Sequence, residues 1–317
     1  MKRETQRFRK RILTGLLGMF LTLSACAKMP AEPQSTPIPA ETPAFSPLPF
    51  EEIPIVTYYS EERSFSYGDH FVYTEAFVPL NGMETHPAVI LCHGIGNDHT
   101  SVNHFAMTFA ERGFLTITFD FCGGCADCQS SGTMQDMSIL TEAEDLSAVI
   151  DHVKAMDDVN PDYLFLLGQS QGGVVASLEA EKRQAEVRGL ILMYPAYNVQ
   201  DLTEQMYPDP EDIPETGEIY DQTVSRQYFL DALSVNFEEV RKGFAKDVLI
   251  LHGSEDQTVP ISYSEEAAKE FPRAALIKVE GAGHGFELPD APSVDNACMS
   301  FLQEHTPPDL IYQTQKE

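Results

Sequence analysis

The chain has 317 residues, a formal net charge of −28 at pH 7 and no tryptophan. That length suffices for one sizeable core with an insertion, or for two small domains. So acidic a surface argues against nucleic acid and anionic lipid headgroups as substrates and reads as a solvated face that keeps the protein soluble.

In chain order, residues 1–25 come first. Lys2, Arg3, Arg7, Arg9, Lys10 and Arg11, against the single acid Glu4, precede an apolar run at residues 12–23. The run is too short to span a bilayer comfortably and matches the central region of a secretory signal peptide. Leu23-Ser24-Ala25-Cys26 resembles a bacterial lipobox, which implies a diacylated Cys26 as the new N-terminus of an exported lipoprotein. Two acyl chains hold a protein at a membrane where one does not. Residues 26–54 then carry eight prolines among Ala, Glu, Ser and Thr and cannot pack a core. As a tether of about 25 residues at about 3.1 Å each, the segment reaches roughly 75 Å.

From residue 55 to 305 the pattern alternates. A hairpin is predicted over 55–60 and 71–79, then strand 87–92, helix 101–112, strand 114–119, helix 140–156, strand 163–168 and helix 172–182. Strands 189–194 and 248–252, helix 263–271, strand 275–280 and helix 292–304 follow, with a tail at 306–317. Strands alternating with helices predict an α/β fold with a mostly parallel sheet covered on both faces. Between strands 189–194 and 248–252 lies an extra segment, read as a small cap over 197–246. Its first part is rich in Pro, Asp and Glu, and 224–233 reads as an amphipathic helix. Tyr207, Tyr228 and Phe229, with Met206 and Tyr220, are candidates to line an acyl or aromatic pocket; gluing the cap to the core is the competing role.

The chemistry concentrates at strand ends. Gly168-Gln169-Ser170-Gln171-Gly172 stands between the apolar run 163–167 and Gly173-Val174-Val175-Ala176, a strand, sharp turn and helix with a serine at the apex. Small residues two positions either side of Ser170 let the strained turn form, and the Gln171 N–H faces a carbonyl under attack. Asp256 follows strand 248–252, with Glu255 beside it as a rival acid. His284 lies on a glycine-rich loop after strand 275–280. Ser, Asp/Glu, His is the chain order found in folds that carry such a turn. His284 is expected to take the Ser170 proton and Asp256 to hold its tautomer. The Ile95 N–H, in His93-Gly94-Ile95-Gly96 after strand 87–92, is expected to complete an oxyanion hole with Gln171. His93 and His252 are read as residues that shape their loops, and Gln169, Asp120 and Asp127 as structural.

Of the six cysteines, five remain beside Cys26. Cys92 and Cys298 read as buried residues of a strand and a helix. Cys122, Cys125 and Cys128 invite a metal reading, but no fourth ligand has matching spacing, and in an oxidising compartment a disulfide within the trio is expected, its pairing open. No metal and no organic cofactor is predicted.

These motifs, with Phe119-Asp120-Phe121, Met137-Ser138-Ile139-Leu140-Thr141-Glu142, His252-Gly253 and Gly283-His284-Gly285-Phe286, resemble the α/β-hydrolase superfamily over residues 50–305. Within it, they resemble the bacterial cinnamoyl and feruloyl esterase-like group. The resemblance implies a Ser170–Asp256–His284 triad, two backbone oxyanion donors and an inserted cap. It departs at Cys122-Gly123-Gly124-Cys125, where relatives often carry a Gly-His-Gly-like loop. The expected protein is a lipid-anchored extracellular serine esterase cleaving short acyl or hydroxycinnamoyl esters, small or linked to polysaccharide, with the membrane met only through its lipid. Two rivals remain. A serine aminopeptidase or oligopeptidase would bind a free amine at cap carboxylates such as Asp209, Glu211, Asp212 and Glu215. A non-catalytic ligand-binding lipoprotein would carry an unreactive serine.

Overall fold

The computed structural model describes residues 54–286 and 291–312. The predicted signal segment, the Cys26 lipidation site and the tether up to residue 53 lie outside the described residues. None of the described helices is long and apolar enough to cross a membrane.

In chain order the strands begin with β1 (Tyr58–Glu62), a small hairpin of β2 (Phe65–Tyr67) and β3 (His70–Val72), and β4 (Thr74–Pro79). Then come β5 (His86–Cys92), α1 (Asn103–Ala110), β6 (Leu115–Phe119), α2 (Ile139–Lys154), β7 (Val159–Gln169), α3 (Gln171–Lys182) and β8 (Val187–Met193). The insertion holds α4 (Val199–Met206), the hairpin β9 (Thr216–Ile219) and β10 (Gln222–Ser225), α5 (Arg226–Ser234) and α6 (Phe237–Gly243). Last are β11 (Val248–Gly253), α7 (Ser262–Glu270), β12 (Ala274–Val279) and α8 (Ala291–Glu304). Eight strands form one sheet in the order β1-β4-β6-β5-β7-β8-β11-β12. The six from β6 to β12 run parallel, and β4 and β1 add antiparallel strands at one edge.

Period-two alternation along the buried strands builds two cores. Val89, Leu91, Phe165, Leu167, Ile191 and Leu251 turn to the face where Phe105 and Phe109 of α1 and Val294 and Leu302 of α8 pack. Their neighbours Ile90, Leu166, Leu190, Leu192 and Ile250 turn to the other face, against Leu146 and Val149 of α2 and Val175 of α3. Burying each such side chain contributes about 1.5–3 kcal/mol, so a strand buried on both faces reads as a continuous apolar run. This is the doubly covered, mostly parallel sheet that the sequence predicts.

Several boundaries differ. β7 begins at Val159, upstream of the apolar run, and a 3-10 turn, His99–Val102, precedes α1. Strand pairs with strand from Tyr58↔Pro79 to Glu62↔Glu75, and the β2–β3 hairpin fills the loop between them. The tail is folded as far as Tyr312: Thr306 and Ile311 are buried, and Asn81 Nδ2 donates to the Ile311 carbonyl at 2.8 Å. In the insertion, Val224 and Ser225 belong to β10 rather than to the helix, which starts at Arg226. Tyr220 and Asp221, both at positive φ (49° and 60°), make the two-residue turn of that hairpin.

Candidate active site

The turn between β7 and α3 is strained. Ser170 has φ 50° and ψ −120°, a conformation that for a non-glycine residue costs of order 1–3 kcal/mol. Surrounding hydrogen bonds hold it: the Ser170 N–H donates to the Met193 carbonyl at 3.0 Å, and the Ser170 carbonyl accepts from Gly173 and Ala196 at 3.0 Å each. Glycines make the crossing feasible. A Cβ at Gly168 would lie 2.3 Å from the Gly172 carbonyl oxygen, and one at Gly172 would lie 2.3 Å from that of His93.

Three expected residues come together here. His284 Nε2 lies 3.0 Å from Ser170 Oγ, and His284 Nδ1 lies 2.8 Å from Asp256 Oδ2. The other carboxylate oxygen accepts from the Thr258 and Val259 N–H groups at 2.9 Å each. Burial alone would raise the Asp256 pKa, but hydrogen bonds from His252, His284 and Val259 outweigh it and hold the group well below the usual carboxylate range. Asp256 is therefore an anion at neutral pH. The rival Glu255 is exposed.

The turn that carries Ile95 is held by its own backbone and lies against Ser170. The Asn97 N–H closes a turn onto the Gly94 carbonyl at 3.1 Å, and the Gly96 N–H donates to the Gly124 carbonyl at 2.9 Å. Gly94 packs so closely on Ser170 that a Cβ there would stand 3.1 Å from the Ser170 Cβ. Among the described residues neither the Ile95 N–H nor the Gln171 N–H meets an acceptor. Both N–H groups are thus left uncommitted by the surrounding protein.

Other residues of this centre carried no distinct sequence signal. His252, read as a loop-shaping residue, does shape its loop: its Nε2 lies 2.8 Å from the Val259 carbonyl and its Nδ1 2.7 Å from Ser264 Oγ. Its Nε2 also lies 3.1 Å from Asp256 Oδ2, which makes it a second partner of the acid. Tyr194, at φ 40° after β8, packs its ring on His284 with centroids 4.7 Å apart. Following an apolar strand, Tyr194 reads as core. His93 is fully buried, with Nε2 accepting from the Phe121 N–H at 3.1 Å, and it braces the Gly94 turn.

The pocket assignments need correction. Tyr228 and Phe229 are each 0% exposed and offer no surface to a ligand. The Tyr228 hydroxyl donates to Gln171 Oε1 at 2.6 Å, and Tyr207 packs edge-on against Phe229 at 5.2 Å. Tyr228 thereby joins the insertion to the body, while Tyr207 and Phe229 pack on each other within the insertion. An amphipathic helix buries one face whatever lies beneath it, so periodicity alone could not separate the two roles. The Gln171 side chain continues inward, its Nε2 donating at 2.8 Å to Glu142 Oε2, a carboxylate that burial pushes up to about 8.

In the cysteine trio, Cys125 and Cys128 form the disulfide, and Cys122 is a free buried thiol. The disulfide lies on the loop whose Gly124 carbonyl receives the Gly96 N–H. His70, Cys122 and Asp145 bring metal-type donor atoms within 4.8 Å of one another. Asp145 is already engaged there by the Tyr67 hydroxyl and, at 2.8 Å, by the Cys122 N–H.

Fold and site together define an α/β-hydrolase-fold protein whose serine, histidine and aspartate meet at the carboxyl ends of the strands. Comparison with known proteins agrees with that fold. A family model described as serine aminopeptidase, S33, matches residues 83–211, and one described as TAP-like protein matches residues 233–313. The uncharacterised protein YfhR of Salmonella typhimurium is 27% identical over 267 residues, 81% of this chain and 82% of that protein. Its Escherichia coli K12 counterpart is 26% identical over 208 residues, 63% of this chain and 66% of the relative's own length. Among solved structures, Est1E of Butyrivibrio proteoclasticus with bound ferulic acid superposes with a TM-score of 0.71 at 24% identity, over 76% of this chain and 98% of Est1E. A monoacylglycerol lipase of Paleococcus ferrophilus gives 0.57 at 18% identity, over 74% of this chain and 99% of the lipase.

Proposed function

We propose that the chain is a serine hydrolase that cleaves carboxylic esters through an acyl-enzyme on Ser170. The observation that carries the reading is the continuous hydrogen-bonded line Ser170–His284–Asp256 beside two uncommitted backbone donors. Ser170 Oγ attacks the acyl carbon as its proton passes to His284 Nε2. The carbonyl π electrons move to the oxygen, which the Ile95 and Gln171 N–H groups receive. The tetrahedral intermediate collapses, the C–O bond to the alcohol breaks, and His284 returns the proton to that alcohol. Water then repeats the sequence on the acyl-enzyme, releasing the acid and restoring Ser170. Asp256 holds the Nδ1–H tautomer and offsets the imidazolium charge.

Short acyl and hydroxycinnamoyl esters are the substrate class. Support comes from the superposition on a ferulate-bound esterase and from a cap that lies next to the oxyanion turn, where Gln222 approaches Gly96. The aminopeptidase reading needs a carboxylate directed at the substrate amine. Asp209, Glu211, Asp212 and Glu215 are all exposed, and Asp209 caps its own turn through the Glu211 N–H. We further propose export and lipid attachment at Cys26, which the Cys125–Cys128 disulfide supports because such bonds persist in oxidising compartments.

Purified residues 50–317 are expected to react with a fluorophosphonate probe and to hydrolyse p-nitrophenyl acetate and butyrate faster than aminoacyl p-nitroanilides. Ser170→Ala is expected to abolish labelling and to lower turnover by about a million-fold. Labelling or turnover retained in that variant refutes the assignment.

A further inference from the structure

One motif, Met137-Ser138-Ile139-Leu140-Thr141-Glu142, takes no part in the chemistry above, and the structure places it directly beneath the nucleophile turn. Ser138 caps α2 with a reciprocal box: its N–H donates to Thr141 Oγ1 at 2.8 Å, while its Oγ accepts the Thr141 N–H at 3.3 Å. That cap fixes the first turn of α2 and so the position of Glu142, which is 1% exposed. Glu142 Oε2 accepts from Gln171 Nε2 at 2.8 Å, the Met137 sulfur lies 3.5 Å from the same nitrogen, and Gln171 Oε1 accepts from Tyr228 at 2.6 Å. The Gln171 side chain is therefore gripped at both ends, by α2 of the body and by α5 of the cap. Ser138 Oγ also reaches Asp231 of α5 at 2.5 Å, a second link between the same two helices.

We infer that Glu142 and Tyr228 are positioning residues of the proposed reaction, holding Gln171 by its side chain so that its backbone N–H stays aimed at the oxyanion and linking that aim to the seating of the cap. The inference rests on the serine-hydrolase reading. Its physical basis is geometric. The Gln171 N–H has no intrahelical acceptor and sits at a strained junction, so no helical hydrogen bond of its own fixes its direction. An oxyanion donor is effective only within a narrow distance range of the developing charge, and small displacements lose much of the benefit. A buried amide side chain locked by two hydrogen bonds supplies the restraint that the first helical residue lacks.

Protonation enters the same network. Glu142 Oε1 meets no partner among the described residues, as suits a carboxyl group that is uncharged at neutral pH. Its titratable neighbours are Asp145 one turn further along α2, the Cys92 thiol of β5 and the Tyr228 phenol of α5, none of them a cation. Below about 8 the neutral acid predominates; above it, ionisation places a negative charge under donors meant for an oxyanion. Turnover therefore falls on the alkaline side. Glu142→Gln keeps the acceptor for Gln171 and cannot ionise.

The test compares wild type, Glu142→Gln, Glu142→Ala and Tyr228→Phe on p-nitrophenyl butyrate from pH 6 to 9.5, with fluorophosphonate labelling and thermal unfolding in parallel. Removing an oxyanion donor outright costs roughly 100 to 1,000-fold, so loosening one is expected to lower kcat about 10-fold, with KM within about twofold, in Glu142→Ala and Tyr228→Phe. Glu142→Gln is expected to keep kcat at pH 7 and to lose the alkaline decline of the wild type. Should Glu142→Ala fail to fold, Tyr228→Phe and Glu142→Gln decide. A wild type that neither labels nor turns over ester refutes the hydrolase reading itself. A competent wild type beside a folded Tyr228→Phe of equal kcat, or a Glu142→Gln that keeps the alkaline decline, refutes the positioning role alone.

Discussion

Replacing Asp256 by Asn isolates tautomer control from everything else in the site. The carboxylate accepts the Thr258 and Val259 N–H groups on Oδ1 and faces His284 Nδ1 and His252 Nε2 with Oδ2. Two backbone donors at 2.9 Å dictate which end of an asparagine amide goes where. The carbonyl oxygen takes the Oδ1 place, and the NH2 group is turned toward the two imidazoles. His284 must then accept at Nδ1 and carry its proton on Nε2, against Ser170 Oγ. A protonated Nε2 cannot take the serine proton, although the shape of the site is almost unchanged. Where the same exchange flips the tautomer in a triad of this kind, kcat falls by about 10⁴, equivalent to about 5 kcal/mol of transition-state stabilisation at 1.36 kcal/mol per decade. Steady-state hydrolysis of p-nitrophenyl butyrate should show that loss in kcat with KM little changed, while near-ultraviolet circular dichroism shows a native fold. Glu255→Gln, at the exposed neighbour, should leave both parameters alone. A folded Asp256→Asn variant within tenfold of wild-type kcat would refute the geometry-based assignment of the acid.

Three further outcomes follow from the same contacts. Reducing the Cys125–Cys128 disulfide, or replacing both cysteines by serine, frees the loop whose Gly124 carbonyl receives the Gly96 N–H; ester turnover should drop several-fold without global unfolding, and unchanged kcat after complete reduction contradicts this coupling. Gly172→Ala puts a Cβ 2.3 Å from a backbone oxygen that cannot move away cheaply, so urea unfolding should show a loss of about 3 kcal/mol or more, and a loss under 1 kcal/mol contradicts the packing. Glu142 gives a pH-dependent stability with a definite sign. Its folded pKa of about 8 stands above an unfolded value near 4.3, so the native state binds the extra proton between them and stability declines as pH rises through that window. Glu142→Gln should therefore gain on wild type between pH 5 and 8, by up to about 4 kcal/mol, and a constant difference across that range contradicts a neutral buried carboxyl.

Much of this architecture is written in short-range pattern. A parallel strand buried on both faces must be apolar at every position, which is why the runs that became β5, β7 and β11 stand out. Helices such as α2 and α3 announce themselves by their alternation with those strands, whereas the Ser138 cap of α2 emerges only from the structure. The Ser170 turn is legible for a steric reason: Gly168 and Gly172 sit where a Cβ would strike backbone 2.3 Å away, so few other sequences can form it. Chain order then singles out Asp256 and His284, because each ends a strand of the same sheet. What escaped is of another kind. The β2–β3 and β9–β10 hairpins are three or four residues a side, with Tyr220-Asp221 rather than an Asn-Gly pair at the second turn, so neither the strand period nor the turn chemistry is strong.

The side chains around Ser170 were illegible for a deeper reason. Glu142, Gln171 and Tyr228 come from three helices, and each has a plain local explanation: an acid in a first helical turn, a polar residue after a nucleophile, an aromatic on an amphipathic face. Only their convergence gives them meaning, and convergence is a property of tertiary packing that no window of sequence contains. Buried polar groups are affordable only when their hydrogen bonds are met, so three such groups in one closed chain must have been fixed together. The same holds for His252, whose imidazole appears as a loop residue until the carboxylate of Asp256 is seen 3.1 Å away. Sequence pattern identifies the groups that would react because strained turns and strand ends restrict which residues fit. Geometry is needed for the groups that hold them still, because a hydrogen bond between distant helices leaves no periodic trace along either.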